Sequence, residues 1–176
     1  MNYPTIWPQF FTATIQNWKA LLKEDGYKDI IIDCLKFLVK DGRIKLFAFT
    51  IMSNHIHVIW QPLQAFTLMQ IQTSFMTYTA KAIKKTLSLE NKNVLEELRV
   101  NKHDRTYQIW KREPLSIELF REKAFLQKLD YIHQNPVTAG LVNDAEDYKY
   151  SSAKFYLIGF DEFEIITHTK AIKYYF

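Results

Sequence analysis

The sequence predicts an α+β domain, an antiparallel sheet with helices packed on one face. Two observations lead there. Stretches that alternate around aromatic and β-branched residues are interleaved with stretches carrying apolar residues at helical spacing, in the order strand, helix, hairpin, helix, strand, helix. The chain has 176 residues, 48% hydrophobic and 24% charged, which suits one domain with a real core and excludes wholesale disorder.

Gln9 to Ile15 (QFFTATI) alternates and reads as a strand. Tyr27 to Lys40 reads as a helix, with Ile30, Cys34, Phe37 and Leu38 at helical spacing and Gly42 just past its end. Ile44 to Trp60 reads as two strands about a tight turn at Ser53-Asn54. From Phe66 to Thr86 the spacing is helical again, with Leu68, Ile71, Phe75, Tyr78 and Ala82 as the stripe. Leu87 to Asp104 is polar, lacks a period and reads as a connection. Thr106 to Trp110 (TYQIW) is a short strand. Ser116 to Asn135 is a second long helix, stopped by Pro136 because the residue before proline avoids the helical region. The remainder holds an apolar piece (AGLV), an acidic turn, a helix starting near Ser151 and an apolar tail.

Four glycines, far apart, exclude a Gly-rich phosphate loop and with it most nucleotide-driven enzymes. One cysteine, Cys34, excludes a disulfide framework and a multi-cysteine zinc site, and its place on the helical stripe predicts a buried, inert thiol. With no secretory pattern at MNYPTIWPQFF and no apolar run near the ~20 residues a bilayer needs, the expectation is a cytoplasmic protein without a membrane partner. The formal charge of +4 and pI of about 9.0 lean toward a polyanion.

His55 and His57 carry the most information. Two residues apart on a strand, they share a face, while Ile56 and Val58 take the other. Two imidazoles so placed can share a divalent ion. A lone His-x-His also fits one structural and one surface histidine, and further ligands must come from elsewhere. His103, His133 and His168 lack ligand spacing and read as structural or exposed. In LQKLDYIHQNP, Phe125, Leu129 and Ile132 form a buried stripe, with Tyr131 and Asn135 four apart on one flank. Packing and a helix end would account for both. Combined with the histidines they suggest instead a cation held by two imidazoles and an amide oxygen, with a phenol facing it. The ion polarises a phosphodiester and the tyrosine attacks phosphorus. One phosphodiester becomes another, so no ATP is needed.

These stretches resemble the HUH endonuclease superfamily, specifically its single-tyrosine transposases. MSNHIHVIW (52–60), YIHQNPVTAGLV (131–142) and DYKYSSAKFY (147–156) carry the resemblance; the last two are most similar to REP-associated tyrosine transposases, relatives of the small insertion-sequence transposases. The likeness covers roughly Gln9 to Tyr156. It implies a ferredoxin-like HUH fold, with a transposase domain over 1–158 and a C-terminal extension over 159–176. It implies His55, His57 and Asn135 as metal ligands, Mg²⁺ or Mn²⁺ as the ion, and Tyr131 as the nucleophile. The implied reaction cuts one strand of hairpin DNA, leaves a 5′-phosphotyrosine and a free 3′-hydroxyl, and rejoins. It leaves open whether the protein acts as a homodimer or a monomer.

Binding single-stranded DNA needs cations and aromatic faces. Lys81, Lys84 and Lys85, then Lys111 and Arg112, are the candidate cations, with Trp110 as the stacking platform. Tyr148, Tyr150 and Tyr156 are rival nucleophiles without an amide at i+4. Two other functions fit parts of the pattern: a domesticated hairpin binder that does not cut, and a metal hydrolase using water in place of Tyr131.

Overall fold

A computed structural model describes residues 7–63 and 65–168. Its core is a four-stranded antiparallel sheet in the order β2 (Ile44–Ile51), β3 (His55–Pro62), β1 (Gln9–Thr14), β6 (Leu115–Glu118). The helices are α1 (Asp25–Lys40), α2 (Leu68–Glu90), α3 (Lys92–Glu96), α4 (Glu122–Thr138) and α5 (Ala153–Ile158), and a separate hairpin pairs β4 (Arg99–Lys102) with β5 (Arg105–Tyr107). The α+β class and the antiparallel sheet are as the sequence predicts.

Strand alternation sorts the sheet into two faces. Phe11 and Ala13 of β1, Ile15 just past its end, and Ile56, Val58 and Trp60 of β3 join the larger core with α1 and α2. Phe10 and Ile59 point the other way, into a smaller core with Phe47, Leu119, Phe125 and Ile132. The helices therefore do not share one face: α4 packs opposite α1 and α2, because its stripe of Phe125 and Ile132 fills the second core. A register shift between Leu46 and Ala48 leaves both Phe47 and Ala48 in that second core. The Phe47 ring meets Phe125 edge-on at 5.9 Å.

Several elements depart from the sequence expectation. The stretch Ser116–Asn135 is not all helix. Its start is β6, which pairs Ser116 with Phe11 and Ile117 with Phe10 and so covers the free edge of β1. At the other end Pro136 lies inside α4. Proline forgoes its N–H bond and crowds the carbonyl four residues back, but in the last turn its own carbonyl still serves the helix end. The Leu141 N–H donates to the Pro136 carbonyl (3.0 Å) and the Gly140 N–H to that of Val137 (2.9 Å), with Gly140 at φ +68°. That is a Schellman ending, and its left-handed residue favours glycine. On α2 the buried stripe is Ile71, Phe75, Thr79, Ile83 and Leu87, while Tyr78 is exposed. The connection 87–104 is folded: α2 runs on to Glu90, and α3 and β4 follow, with Leu87, Leu95 and Leu98 buried. Only part of TYQIW is strand, and Trp110 makes an isolated bridge to Ile15. The described part of the tail joins the larger core: Ile165 is buried, and the Thr167 N–H donates to the Leu46 carbonyl at 2.7 Å. Residues 169–176 of the expected extension lie outside the described residues.

Candidate active site

The second face of the sheet carries the histidines. β1 and β3 run in register, so Thr12 lies opposite His57 and Thr14 opposite His55. The Thr12 hydroxyl meets His57 Nδ1 at 2.7 Å. His55 Nδ1 lies 2.6 Å from Asn54 Oδ1. The Asn54 amide is oriented by its own Nδ2, which donates to the Trp18 carbonyl at 3.4 Å. An amide oxygen can only accept, so His55 Nδ1 carries the proton and His55 Nε2 keeps its lone pair. A side-chain hydrogen bond links His55 to Asn135 on α4. The two imidazole centroids are 4.7 Å apart.

His57 Nε2 is buried and has no hydrogen-bond partner among the described residues. An orphaned buried ring nitrogen is costly unless something fills the position. Burial pushes the His57 pKa down to about 3, with the charges of His55 and Lys128 adding to the fall. Burial also lowers that of His55, partly offset by its bond to Asn135. Both rings are therefore neutral near pH 7, the form in which imidazole donates a lone pair. Thr12 and Asn54 orient the rings from behind, as outer partners orient ligating histidines.

α4 brings Tyr131 to the same place. Its ring lies 5.2 Å from that of His57, edge-on, and it is half exposed to solvent. Phe10 stacks on His57 at 5.4 Å and meets Tyr131 edge-on at 6.1 Å, which holds the two rings in a fixed relation. Lys128, one turn before Tyr131, sets its Nζ 4.5 Å from the Phe10 centroid and 5.4 Å from that of Tyr131. Sequence reasoning missed Lys128, although its i−3 spacing from Tyr131 was a readable signal. Among the described residues no three His, Cys, Asp or Glu side chains group as a metal cluster. A cation here would rest on the two imidazoles and neutral oxygen donors, and the orphaned His57 Nε2 fits that need.

The rival tyrosines are tied up as donors. Tyr148 donates to the Ile51 carbonyl (2.8 Å), Tyr150 to Asp29 (2.9 Å) and Tyr156 to the Phe47 carbonyl (2.7 Å). Burial raises all three pKa values, that of Tyr148 up to about 12. His133 is structural: it is buried and meets the Ser152 hydroxyl at 2.9 Å. Cys34 is buried, and burial pushes its thiol up to about 12.

The expected DNA-binding residues fall elsewhere. Lys81 lines two neighbouring grooves between α2 and the β4–β5 hairpin. One, of about 760 Å³, also holds Arg105, Lys111 and Arg112; the other, of about 520 Å³, holds Lys84, Lys85 and Lys92. Since α2 packs on the sheet face opposite α4, its lysines do not flank the histidines, whereas the Lys111 backbone reaches Thr14, the register partner of His55. Arg105 and Lys92 join them and were not foreseen. Trp110 cannot serve as a stacking platform. It is 5% exposed, and its indole N–H donates to the Thr79 hydroxyl at 2.9 Å, because the apolar ring completes the core under α2.

The histidine pair on the central strands thus faces a tyrosine and an amide from the helix packed across them. The fold has counterparts among solved structures. The chain is similar to a REP-associated tyrosine transposase whose structure was determined bound to a REP hairpin, with a TM-score of 0.66 and 18% identity over 93% of this chain and 87% of that one. It also matches, more weakly, a crystal structure of a candidate transposase from Deinococcus radiodurans (TM-score 0.46, 13% identity, 70% of this chain and 87% of the other). No protein-family model and no curated protein matches the sequence.

Proposed function

We propose that the chain is a metal-dependent transposase that nicks and rejoins single-stranded hairpin DNA through a 5′-phosphotyrosine. The observation that carries this reading is the orphaned Nε2 of a neutral, buried His57 beside a second neutral histidine, with the Tyr131 ring 5.2 Å away. The similar solved structure holds a DNA hairpin, which supports the substrate class.

His55, His57 and the Asn135 carboxamide would hold Mg²⁺ or Mn²⁺, which when bound supplies Lewis-acid polarisation of the phosphodiester. The Tyr131 oxygen forms a bond to phosphorus while the bond from phosphorus to the 3′ oxygen breaks. The phenol gives up its proton, the departing 3′ oxygen gains one, and the 5′ end stays on the tyrosine. Attack by a 3′-hydroxyl on that ester reverses the step and joins the strand. Phe10 fixes the angle of the attacking ring, and the Lys128 ammonium favours the negative charge that develops beside it. The lysines and arginines of the α2 grooves take up phosphates of the hairpin. All four site side chains come from one chain, so no residue of a second copy is needed to complete the set. The action would be cytoplasmic, where such DNA is met.

The test is incubation of labelled hairpin DNA with the protein and Mn²⁺, read on a denaturing gel. A covalent protein–DNA band is expected, lost in EDTA and in Tyr131→Phe. An equal band from Tyr131→Phe overturns the nucleophile. Tight hairpin binding with no band, indifferent to EDTA, identifies a non-cleaving binder.

A further inference from the structure

Residues 16–19, just after β1, form an unusual turn. Asn17 and Trp18 sit consecutively in the left-handed region, at φ +58° and +56°. For a bulky side chain such a backbone is a genuine outlier, and strain of this kind persists only where the surroundings impose it. Here they do. The Trp18 N–H donates to the Ile15 carbonyl (3.0 Å), and the Trp18 carbonyl accepts from Asn54 Nδ2. The next residue, Lys19, pairs with Glu97. All this restraint presents an indole that is 60% exposed.

The location is specific. Asn54, which grips the Trp18 carbonyl, is the residue whose Oδ1 orients His55. Ile15, whose carbonyl accepts from the Trp18 N–H, is tied to the same asparagine: its own N–H donates to the Asn54 carbonyl at 2.8 Å. Lys111 arrives from the other side. Its backbone N–H donates to the carbonyl of Thr14, the register partner of His55, and its Nζ stands 5.9 Å from the Trp18 centroid. An exposed, rigid aromatic face with an ammonium beside it, one residue removed from a candidate ligand, has the two elements that hold an unpaired nucleotide: a stacking surface for the base and a cation for its phosphate.

We propose that Trp18, with Lys111, is a binding site for one unpaired nucleobase of the DNA strand passing the His55–His57 pair. Trp18 takes the stacking role that Trp110 cannot. The proposal rests on the single-stranded DNA reading of the site and adds to it the residue that distinguishes an unpaired flank from a closed stem. The indole touches the base and not the scissile phosphate, so its effect is on affinity and selectivity.

The experiment measures binding of the full chain, in EDTA so that nothing is cut, to two fluorescent DNA hairpins of the same stem: one blunt, one with a four-nucleotide unpaired flank. The parent is expected to prefer the flanked hairpin. Trp18→Leu is expected to weaken the flanked hairpin by roughly 5- to 150-fold, the range of one base stack, with the blunt hairpin as internal reference and Trp18→Phe recovering most of the loss. Circular dichroism melting of each variant establishes that it is folded. If folded Trp18→Leu binds the flanked hairpin as well as the parent does, the proposal is overturned even where covalent adducts form with the parent. If no adduct forms with Mn²⁺ but the flank preference exists and falls with Trp18→Leu, the cleavage reading fails and the stacking site stands. If the parent binds neither hairpin, both fall.

Discussion

Acid should loosen α4 through His133, by an amount the structure sets. The imidazole is buried between α4 and Ser152, whose hydroxyl also accepts from the Phe49 N–H at 3.0 Å on β2. Burial pushes the His133 pKa down to about 4 from an ordinary value of 6.5. A histidine depressed on folding binds its proton more readily in the unfolded chain. Its contribution is intact above pH 6.5 and is lost as pH falls toward 4. Between pH 8 and pH 5 linkage gives a loss of about 2 kcal/mol from this one residue. His57, held at about 3, adds a similar loss independently. In a chain of this size about 2 kcal/mol corresponds to a melting shift of roughly 4–8 °C. His133→Gln retains an amide that can meet Ser152 and removes the titration. Urea unfolding of both proteins at pH 8 and pH 5 isolates the term, since carboxylates and His57 titrate alike in each. The parent should lose about 2 kcal/mol more than the variant over that interval. Equal losses, to within about 0.5 kcal/mol, would mean that His133 is not held neutral by burial, and the packing account of α4 would be wrong.

Other outcomes follow from the same contacts. Thr12→Val removes the hydroxyl behind His57 and should weaken Mn²⁺ binding roughly 10- to 100-fold by titration calorimetry. Lys128→Met keeps the packing over Phe10 and loses the ammonium; single-turnover adduct formation should slow on the order of 100-fold with little change in hairpin affinity. Reversing Lys84 and Lys85 to glutamate should flatten the dependence of DNA affinity on log salt by roughly 1.5 units or more, and an unchanged slope removes them from the footprint. Gly140→Ala meets no atom within 4 Å of the added carbon, so the left-handed backbone alone should lower stability by about 1–2 kcal/mol in thermal unfolding.

What could be read from the sequence was whatever a local period encodes. His55-Ile56-His57 alternates, so both imidazoles had to share a face; Tyr131 and Asn135 are four apart, so they had to share a flank. Long-range effects stayed hidden. Nothing in LSIE marks it as the strand that covers the edge of β1, since all four residues are exposed and only the pairing with Phe10 and Phe11 defines it. Pro136 ended the helix on paper because the rule concerns the preceding residue; Gly140 was the better stop signal. Tryptophans show the limit most plainly. Trp110 follows an apolar residue and precedes two cations, the local look of a binding surface, yet Thr79, 31 residues earlier in the chain, takes its N–H. Trp18 sits in an unremarkable polar stretch, and only the backbone geometry sets it apart.

Sheet and helix divide the candidate site by the precision each can supply. The imidazoles lie on alternate positions of a paired central strand, with their outer nitrogens fixed by a cross-strand threonine and by the turn asparagine, so their spacing is set by the ladder itself. The phenol and the carboxamide lie on a helix held by a smaller core around Phe10, Phe47 and Phe125 and by the buried His133–Ser152 contact. A displacement of α4 would move Tyr131 and Asn135 together while leaving the histidines in place. On the proposed mechanism, that asymmetry would set a fixed pair of candidate ligands against a nucleophile carried on a helix with a smaller core. Asn54 extends the rigid half outward. One amide ties His55 to the strained Trp18 turn, so on the proposed reading a base stacked on the indole would be registered against the histidines and not against α4.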